Sequence, residues 1–339
     1  MQRGLPIRRS LHVRMPVEQP KNTAANTLRI FGSLTVLSIG VGATLATVLG
    51  FFGSLWWAFD TLSGDRVQFF VLLVVVAAGF RIGFGIATGA LFLAAAVANA
   101  VIVAPLFLGA ADPAAADAGV LRIASVPVEE AGQEEAMAWI VESEVDIAFL
   151  LDTDDTWSSA SPPAGSGYRT AGQVLVGRQT GITVVSKAGI EITIEDARGS
   201  GAHPLIRATT HIGDRDMVIY SVFLPAPGSS AEANQRNDVL TEFADRVARE
   251  TVPVSVIGGL GASSWSHAFG ILTSDTDLVD SSPGNGYQAS SPSGFWIGFR
   301  VPHHHLLHTS ALTTLDRHID TELGQGMRIL QATLAEAGG

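Results

Sequence analysis

The chain has 339 residues, 47% of them hydrophobic and 16% charged, with a formal net charge of −11 and no cysteine. That acidity argues against a nucleic-acid partner, because affinity for a phosphate backbone comes largely from Lys and Arg neutralising it. The missing cysteines exclude disulfides, thiolate metal sites and thiol nucleophiles.

Residues 1–29 form a basic tail that carries Arg3, Arg8, Arg9, Arg14, Lys21 and Arg29. Residues 30–59 hold no charge, and about 20 apolar residues suffice to cross a hydrocarbon core of roughly 30 Å. A second apolar run at 67–80 is flanked by a polar loop at 60–66 and by Arg81, and a third covers 82–108. Region 30–109 is therefore expected to hold three transmembrane helices. A cleaved signal peptide is the competing reading of the first segment, but its apolar stretch starts late and outlasts the usual h-region. With the basic tail and Arg81 kept cytoplasmic, Asp60, Asp65 and everything after residue 111 are expected to lie outside the cytoplasm.

Trp56 and Trp57 suit an interfacial anchor, and Asn99 is a candidate contact between helices. Small residues, Gly40, Gly42, Ala43 and Ala46 in the first helix and Gly85, Gly89, Ala94 and Ala98 in the third, permit close helix approach. Residues 110–119, rich in Ala and holding Pro113, read as a short tether.

After the tether, residues 120–335 alternate between strand and helix patterns. Strands are expected at 121–128, 145–151, 173–176, 182–186, 190–194, 205–212, 217–224, 252–257 and 305–309. One helix is expected at 133–144, with Met137, Ile140 and Val141 on its inner face and Glu134 and Glu135 in its first turn. A second, at 231–249, opens on the capping-box spacing Ser229 to Glu232. The stretch from Val254 to Phe269, VSVIGGLGASSWSHAF, reads as a buried strand, a turn and a helix.

The order of these pieces resembles the endonuclease/exonuclease/phosphatase family, in particular bacterial members with three N-terminal membrane helices. The resemblance is carried by Trp56-Trp-Ala-Phe-Asp-Thr-Leu-Ser-Gly-Asp-Arg-Val-Gln-Phe-Phe70, Leu121-Arg-Ile-Ala-Ser-Val-Pro-Val128, Val145-Asp-Ile-Ala-Phe-Leu-Leu-Asp152 and Ala262-Ser-Ser-Trp-Ser266. It implies an α/β four-layer sandwich, two mixed β-sheets face to face with helices outside, and hydrolysis of phosphate esters with a divalent cation.

The family's site positions, carried over one at a time, are degenerate. Its metal-holding Asn falls on Pro127, and its metal-binding Glu on Asp152, one methylene shorter. Its His after the middle strand falls on Phe223. Its Gly-Asp-x-Asn becomes Gly258-Gly259-Leu260-Gly261, so that Gly259 and Gly261 stand where a transition-state Asp and a substrate-orienting Asn would. Its Asp-His pair falls on His304-His305, and its Ser-Asp-His on Gln325-Gly326-Met327. A shift of register would bring Asp316 or Asp320 nearer the missing base.

The run His303-His304-His305-Leu-Leu-His308 alternates, so His303 and His305 share a strand face, with Asp152 a conceivable third zinc ligand. A polar strand end lining a former cleft is the other reading of those histidines. The acidic loop 152–155 lacks the glycine and terminal glutamate of an EF-hand, and Arg198-Gly-Ser-Gly201 reads as a turn. No cofactor is expected. The expectation is a catalytically silent, membrane-anchored binding module, an accessory subunit of a larger integral membrane protein complex in the lipid bilayer, with respiratory or envelope machinery as hosts. An active metal-dependent phosphoesterase with an altered, His-containing site is the alternative.

Overall fold

The computed structural model describes residues 23–83, 86–109, 113–129, 131–199, 203–320, 323 and 327–338. Helix α1 (Thr23–Leu49) ends in a 3-10 turn at Gly50–Phe52, and after a break the chain forms α2 (Trp57–Leu62), a 3-10 turn (Ser63–Asp65) and α3 (Arg66–Gly83). Helix α4 (Ile86–Val103) is followed by α5 (Pro105–Leu108), which starts on a proline. Two helical stretches are long and apolar enough to cross a membrane, Ile30–Phe52 with 23 residues and Trp57–Phe80 with 24. At about 1.5 Å per residue the first spans roughly 35 Å.

The expected three spans are thus corrected to two, because the third apolar helix, Gly89–Val103, is shorter. The first span ends near residue 52 rather than 59, since apolar composition does not mark where a helix breaks. The stretch 60–66, expected to be a polar loop at the membrane interface, is instead helical, with Asp60, Ser63 and Arg66 buried.

Contacts fix the directions of the helices. Arg66 Nη1 donates to Thr47 O at 2.8 Å and to Asn99 Oδ1 at 3.4 Å, and Asn99 Nδ2 donates to Thr47 Oγ1 at 2.9 Å. Farther from residues 60–66, a Cβ on Gly40 would lie 2.7 Å from Val76 and 2.9 Å from Phe92. Moving from the first layer to the second lowers the residue number in α1 and α4 and raises it in α3. Hence α3 runs antiparallel to both neighbours. Gly40, Ala43 and Gly89 are used inside this bundle, whereas Gly42 and Ala94 face outward; Gly85 lies outside the described residues.

The α/β part contains two six-stranded sheets. The first has the order β11-β12-β1-β2-β4-β3 and the second β5-β6-β7-β8-β10-β9. The strands are β1 (Val120–Pro127), β2 (Ile147–Leu151), β3 (Tyr168–Val176), β4 (Thr180–Lys187), β5 (Thr193–Asp196), β6 (Leu205–Ile212), β7 (Arg215–Phe223), β8 (Val254–Gly259), β9 (Leu278–Asp280), β10 (His304–Thr309), β11 (Leu312–Ile319) and β12 (Leu330–Glu336). Each sheet is mixed and has one parallel pair at its centre, β1/β2 and β7/β8. The crossovers are α6 (Gln133–Glu142) and α7 (Ser230–Val247), with α8 (His267–Ser274) beside α7.

Period-two alternation sends one side of every central strand into the space between the sheets. Ile123, Phe149, Leu151, Ile182, Val184, Ile206, Ile219, Ile257, Leu306 and Leu330 fill that space. The opposite sides meet the helices, Ala124, Val126 and Leu150 under α6, and Val218, Tyr220, Val256 and Leu307 under α7 and α8. The four layers expected from the sequence are present.

The tether is not loose where it is described. Ala115 N donates to Glu336 O, Gly338 N donates to Pro113 O, and Gly119 abuts Gly213 in the β6–β7 turn. The helices and the α/β part also hold each other. Asp60 and Arg236 form a buried ion pair at 2.9 Å, Asp60 Oδ1 accepts from His267 N at 2.5 Å, and Arg236 Nη1 donates to Gly261 O at 2.8 Å. Gly284 N and Gly286 N donate to the carbonyls of Pro105 and Leu106. These contacts place the carboxyl ends of β1, β2, β7 and β8 toward the helices.

Candidate functional site

In open α/β sheets, ligands bind outside the carboxyl ends of the parallel strands, where the chain turns to either side and leaves a crevice. Here the two parallel pairs end side by side. Pro127 at the end of β1 is the register partner of Leu151 at the end of β2, and Phe223 at the end of β7 is that of Gly259 at the end of β8. Between them lies a cleft of about 170 Å³, lined by Pro127, Glu129, Asp152, Phe223, Pro225, Gly261, Ser291, His303 and Met327 among others. Ordinary small-molecule sites occupy roughly 300–1,000 Å³, so this cleft is smaller than such sites.

The strand-end glycines are set by the backbone. Gly258 has φ +142°, and a Cβ there would meet Val222 O at 2.1 Å. Gly261 has φ +59°, and its Cβ would meet Pro225 O at 2.3 Å. The volume that an Asn would need at 261 is occupied by a carbonyl. Gly259 differs, with its nearest obstacle the flexible end of Met327, Cε at 3.1 Å, followed by Phe223 Cδ2 at 3.4 Å.

Asp152 sits just beyond β2 with φ +62°, a left-handed conformation that Asp tolerates better than most residues. Burial pushes its carboxyl upward, and the neighbouring Glu129 carboxylate adds to the shift. Glu129 escaped the sequence reading, which took the carboxylate of Asp152 as the one retained; two residues past Pro127, it follows the strand end directly. Ser291 was missed too, because the loop that carries it has no pattern in the sequence.

The histidines separate. His303 is half-buried and lines the cleft, its pKa pushed down to about 4 by burial, by His305 and by Arg236. His304 points into the sandwich, where Nδ1 lies 2.8 Å from Arg328 O and Nε2 is buried with no partner. Burial pushes its pKa down to about 3. His305 turns to the opposite side, with Nε2 2.7 Å from Ala262 O, Nδ1 3.5 Å from Ser264 Oγ, and its ring 4.9 Å from that of Phe269. Because Nε2 faces a carbonyl, it carries the proton. The zinc trio of His303, His305 and Asp152 is therefore corrected: strand alternation is broken at His303, which precedes β10, and His305 is committed to a carbonyl. Among the described residues no three His, Asp or Glu side chains come together as a metal site.

Gly326 and Gln325 lie outside the described residues. Met327 lines the cleft. Asp316 pairs with His318 at 3.0 Å on an exposed strand face, and Asp320 Oδ2 accepts from Gln331 at 2.9 Å; neither lines the cleft. The acidic loop caps itself, Asp154 Oδ1 accepting from Thr156 N at 3.0 Å while Asp155 pairs with Arg178.

The chemistry of this donor set is limited. A hard divalent cation prefers an oxygen shell near octahedral, and the cleft supplies two carboxylates beside Pro127, which has neither an amide side chain nor a backbone N–H. Any such cation would have Glu129 and Asp152 as its only carboxylate ligands from the cleft, with water filling the rest of its shell.

No protein-family model matches this sequence, and no curated protein matches it. Solved structures do match. A functionally unknown conserved protein from Enterococcus faecalis V583 superposes with a TM-score of 0.51 at 10% identity, over 64% of this chain and 100% of that one. The endonuclease/exonuclease/phosphatase from Bacteroides vulgatus superposes with a TM-score of 0.50 at 10% identity, over 65% and 99%.

Proposed function

The α/β part has the endonuclease/exonuclease/phosphatase fold, and from it we propose a catalytically silent, membrane-anchored binding module. The observation that carries this reading is the cleft itself. Where phosphoryl transfer needs positioned charge and a base near the attacking water, the strand ends carry Pro127, Phe223, Gly259, Gly261 and Met327. A catalytic unit removed whole lowers the rate by about 10⁶. The module is proposed to serve as an accessory subunit of a larger plasma-membrane assembly, with respiratory or envelope complexes as hosts. The helices cross the bilayer, and the α/β part lies outside the cytoplasm, since the basic tail and Arg81 belong to the ends of α1 and α3 remote from it.

A second reading, a phosphoesterase with an altered site, is favoured by one observation: Glu129, Asp152 and His303 line the same cleft. The test is hydrolysis of DNA and of phosphomonoesters by the purified chain with Mg²⁺ or Mn²⁺. The binding reading expects turnover no higher than that of Asp152→Ala. Metal-dependent turnover lost in Asp152→Ala and Glu129→Gln would replace it with the second reading. For the assembly, the C-terminally tagged chain is solubilised gently and sized; a stoichiometric companion is expected, and a lone monomer in its micelle rejects the accessory role.

A further inference from the structure

The loop between β9 and β10 carries a cluster that the cleft does not use. In Gly294-Phe-Trp-Ile-Gly-Phe-Arg300 the four large apolar side chains are all exposed, Phe295 at 58%, Trp296 at 71%, Ile297 at 46% and Phe299 at 68%. The loop is nevertheless built firmly. Ser291 and Val301 exchange backbone hydrogen bonds of 3.1 and 2.7 Å at its base, and Phe299 N and Arg300 N donate to the carbonyls of Trp296 and Ile297 in a 3-10 turn. Arg300 Nε donates to Phe295 O at 2.5 Å. Trp296 and Phe299 stack edge to face, centroids 6.0 Å apart.

The location of the loop says what covers it. Gln68, in the first turn of α3, donates from Nε2 to Arg300 O at 2.6 Å and to Tyr287 Oη at 3.0 Å. The loop is therefore anchored where the apolar stretch Trp57–Phe80 leaves the α/β part. Around the same junction Phe51, Phe52, Leu55 and Trp56 at the end of α1, and Phe107 and Leu108 in α5, are exposed as well. Resting on the membrane reading above, we infer that residues 295–299 dip into the headgroup and acyl boundary of the bilayer that the helices cross, so that the loop fixes the α/β part against the membrane surface.

Three features suit that occupant. Trp and Phe concentrate at membrane interfaces, where a large ring gains by leaving water without entering the hydrocarbon core. Backbone entering lipid must satisfy its polar groups internally, which the 3-10 turn and the Arg300 to Phe295 bond do in part. Contiguous apolar patches of this kind are rare on surfaces that face only water.

The cysteine-free chain gives a direct test. Single variants Trp296→Cys, Val75→Cys on the outer face of α3, and Asp214→Cys in the β6–β7 turn at the opposite strand ends are labelled with an environment-sensitive fluorophore. They are then placed in nanodiscs of zwitterionic and anionic phospholipid. The label at 296 is expected to be quenched by a nitroxide near the headgroup, about twofold or more beyond one at the bilayer midplane, and to resist iodide relative to 214. If 75 is quenched by lipid nitroxides while 296 stays open to iodide like 214, the loop faces water or a protein partner and the inference falls. If 75 is not quenched either, the membrane reading falls and takes the inference with it.

Discussion

The buried Asp60–Arg236 pair is the firmest handle on how the helices and the α/β part work together. Both side chains are nearly inaccessible, at 5% and 6%. Asp60 holds two partners at once, Arg236 and the first amide of α8, and Arg236 in turn holds the carbonyl of Gly261. Asp60→Ala leaves a buried guanidinium with no counter-charge, a change that costs about 3–5 kcal/mol. For an α/β part of this size about 1 kcal/mol moves Tm by roughly 2–4 °C, so the expected fall is roughly 6–20 °C. Asp60→Asn, which keeps an acceptor for His267 N, should fall less. Differential scanning fluorimetry of the full chain in detergent measures both. The double variant Asp60→Ala/Arg236→Met removes both charges and should recover part of the loss. A fall below about 2 °C for Asp60→Ala, or strict additivity in the double variant, would refute the idea that this pair joins the two parts.

Gly261→Asn, built against Pro225 O at 2.3 Å with a forced positive φ, should lower stability by more than about 2 kcal/mol, while Gly259→Ala, facing the flexible end of Met327 at 3.1 Å and the Phe223 ring at 3.4 Å, should cost about 1 or less; equal Tm losses would contradict the geometry. For pH, His303 and His304 titrate below their unfolded value of 6.5, near 4 and 3. The unfolded state therefore binds more protons across that window, and stability is lost as pH falls from about 6.5 toward 4, by up to about 1.4 kcal/mol per pH unit for each group. His304→Gln should flatten this dependence in a Tm-against-pH series, and an unchanged slope would count against the buried neutral imidazole. In the bundle, Asn99→Leu removes the acceptor of Arg66 and the donor to Thr47, with an expected cost of about 1 kcal/mol; detergent Tm unaffected by the change would show that this polar layer does not join the helices.

Strand β2, Ile-Ala-Phe-Leu-Leu, was legible because a strand buried on both faces reads as an apolar run, and the other central strands were legible from shorter apolar stretches, down to the Leu306-Leu307 pair of β10. Helix α7 was legible from its cap, since Ser229 accepts from Glu232 N as the spacing required. Strands β9, β11 and β12 were not. Strand β11 alternates poorly, with a register shift between Thr314 and Asp316, and β12, Leu-Gln-Ala-Thr-Leu-Ala-Glu, is made of helix-favouring residues held extended between β1 and β11. Strand β9 has three residues and no period to show. At the site, Pro127, Asp152, Phe223, Gly261, His303 and Met327 converge, whereas Gly259 lies behind Met327 and His304 and His305 point to opposite sides. Sequence alternation could not foresee that the run would break at His303. The partners of Asp60 were invisible for another reason: they lie 176 and 207 residues away.

The orientation of the cleft follows from connectivity rather than from site chemistry. The chain leaves α5 at Gly109 beside Pro283, yet Val120 opens β1 next to the β6–β7 turn, where Gly119 meets Gly213. Residues 113–115 are held at the end of β12, Ala114 bridging Ala337, Ala115 N donating to Glu336 O and Gly338 N to Pro113 O. Strand β1 then runs back over eight residues, about 26 Å, and returns Pro127 to the helix side. The crossover α6 makes β2 end beside β1, and α7 makes β8 end beside β7, whose shared end is held to the helices through Arg236, Gly261 and Asp60. The cleft therefore faces the junction whatever its side chains are. With Arg236 tying Gly261 to Asp60, and Gln68 tying the Trp296 loop to α3, the strand ends keep a second use as the surface on which the α/β part seats itself. Glycine and proline at those ends serve close backbone approach, as Gly258 against Val222 and Gly261 against Pro225 show.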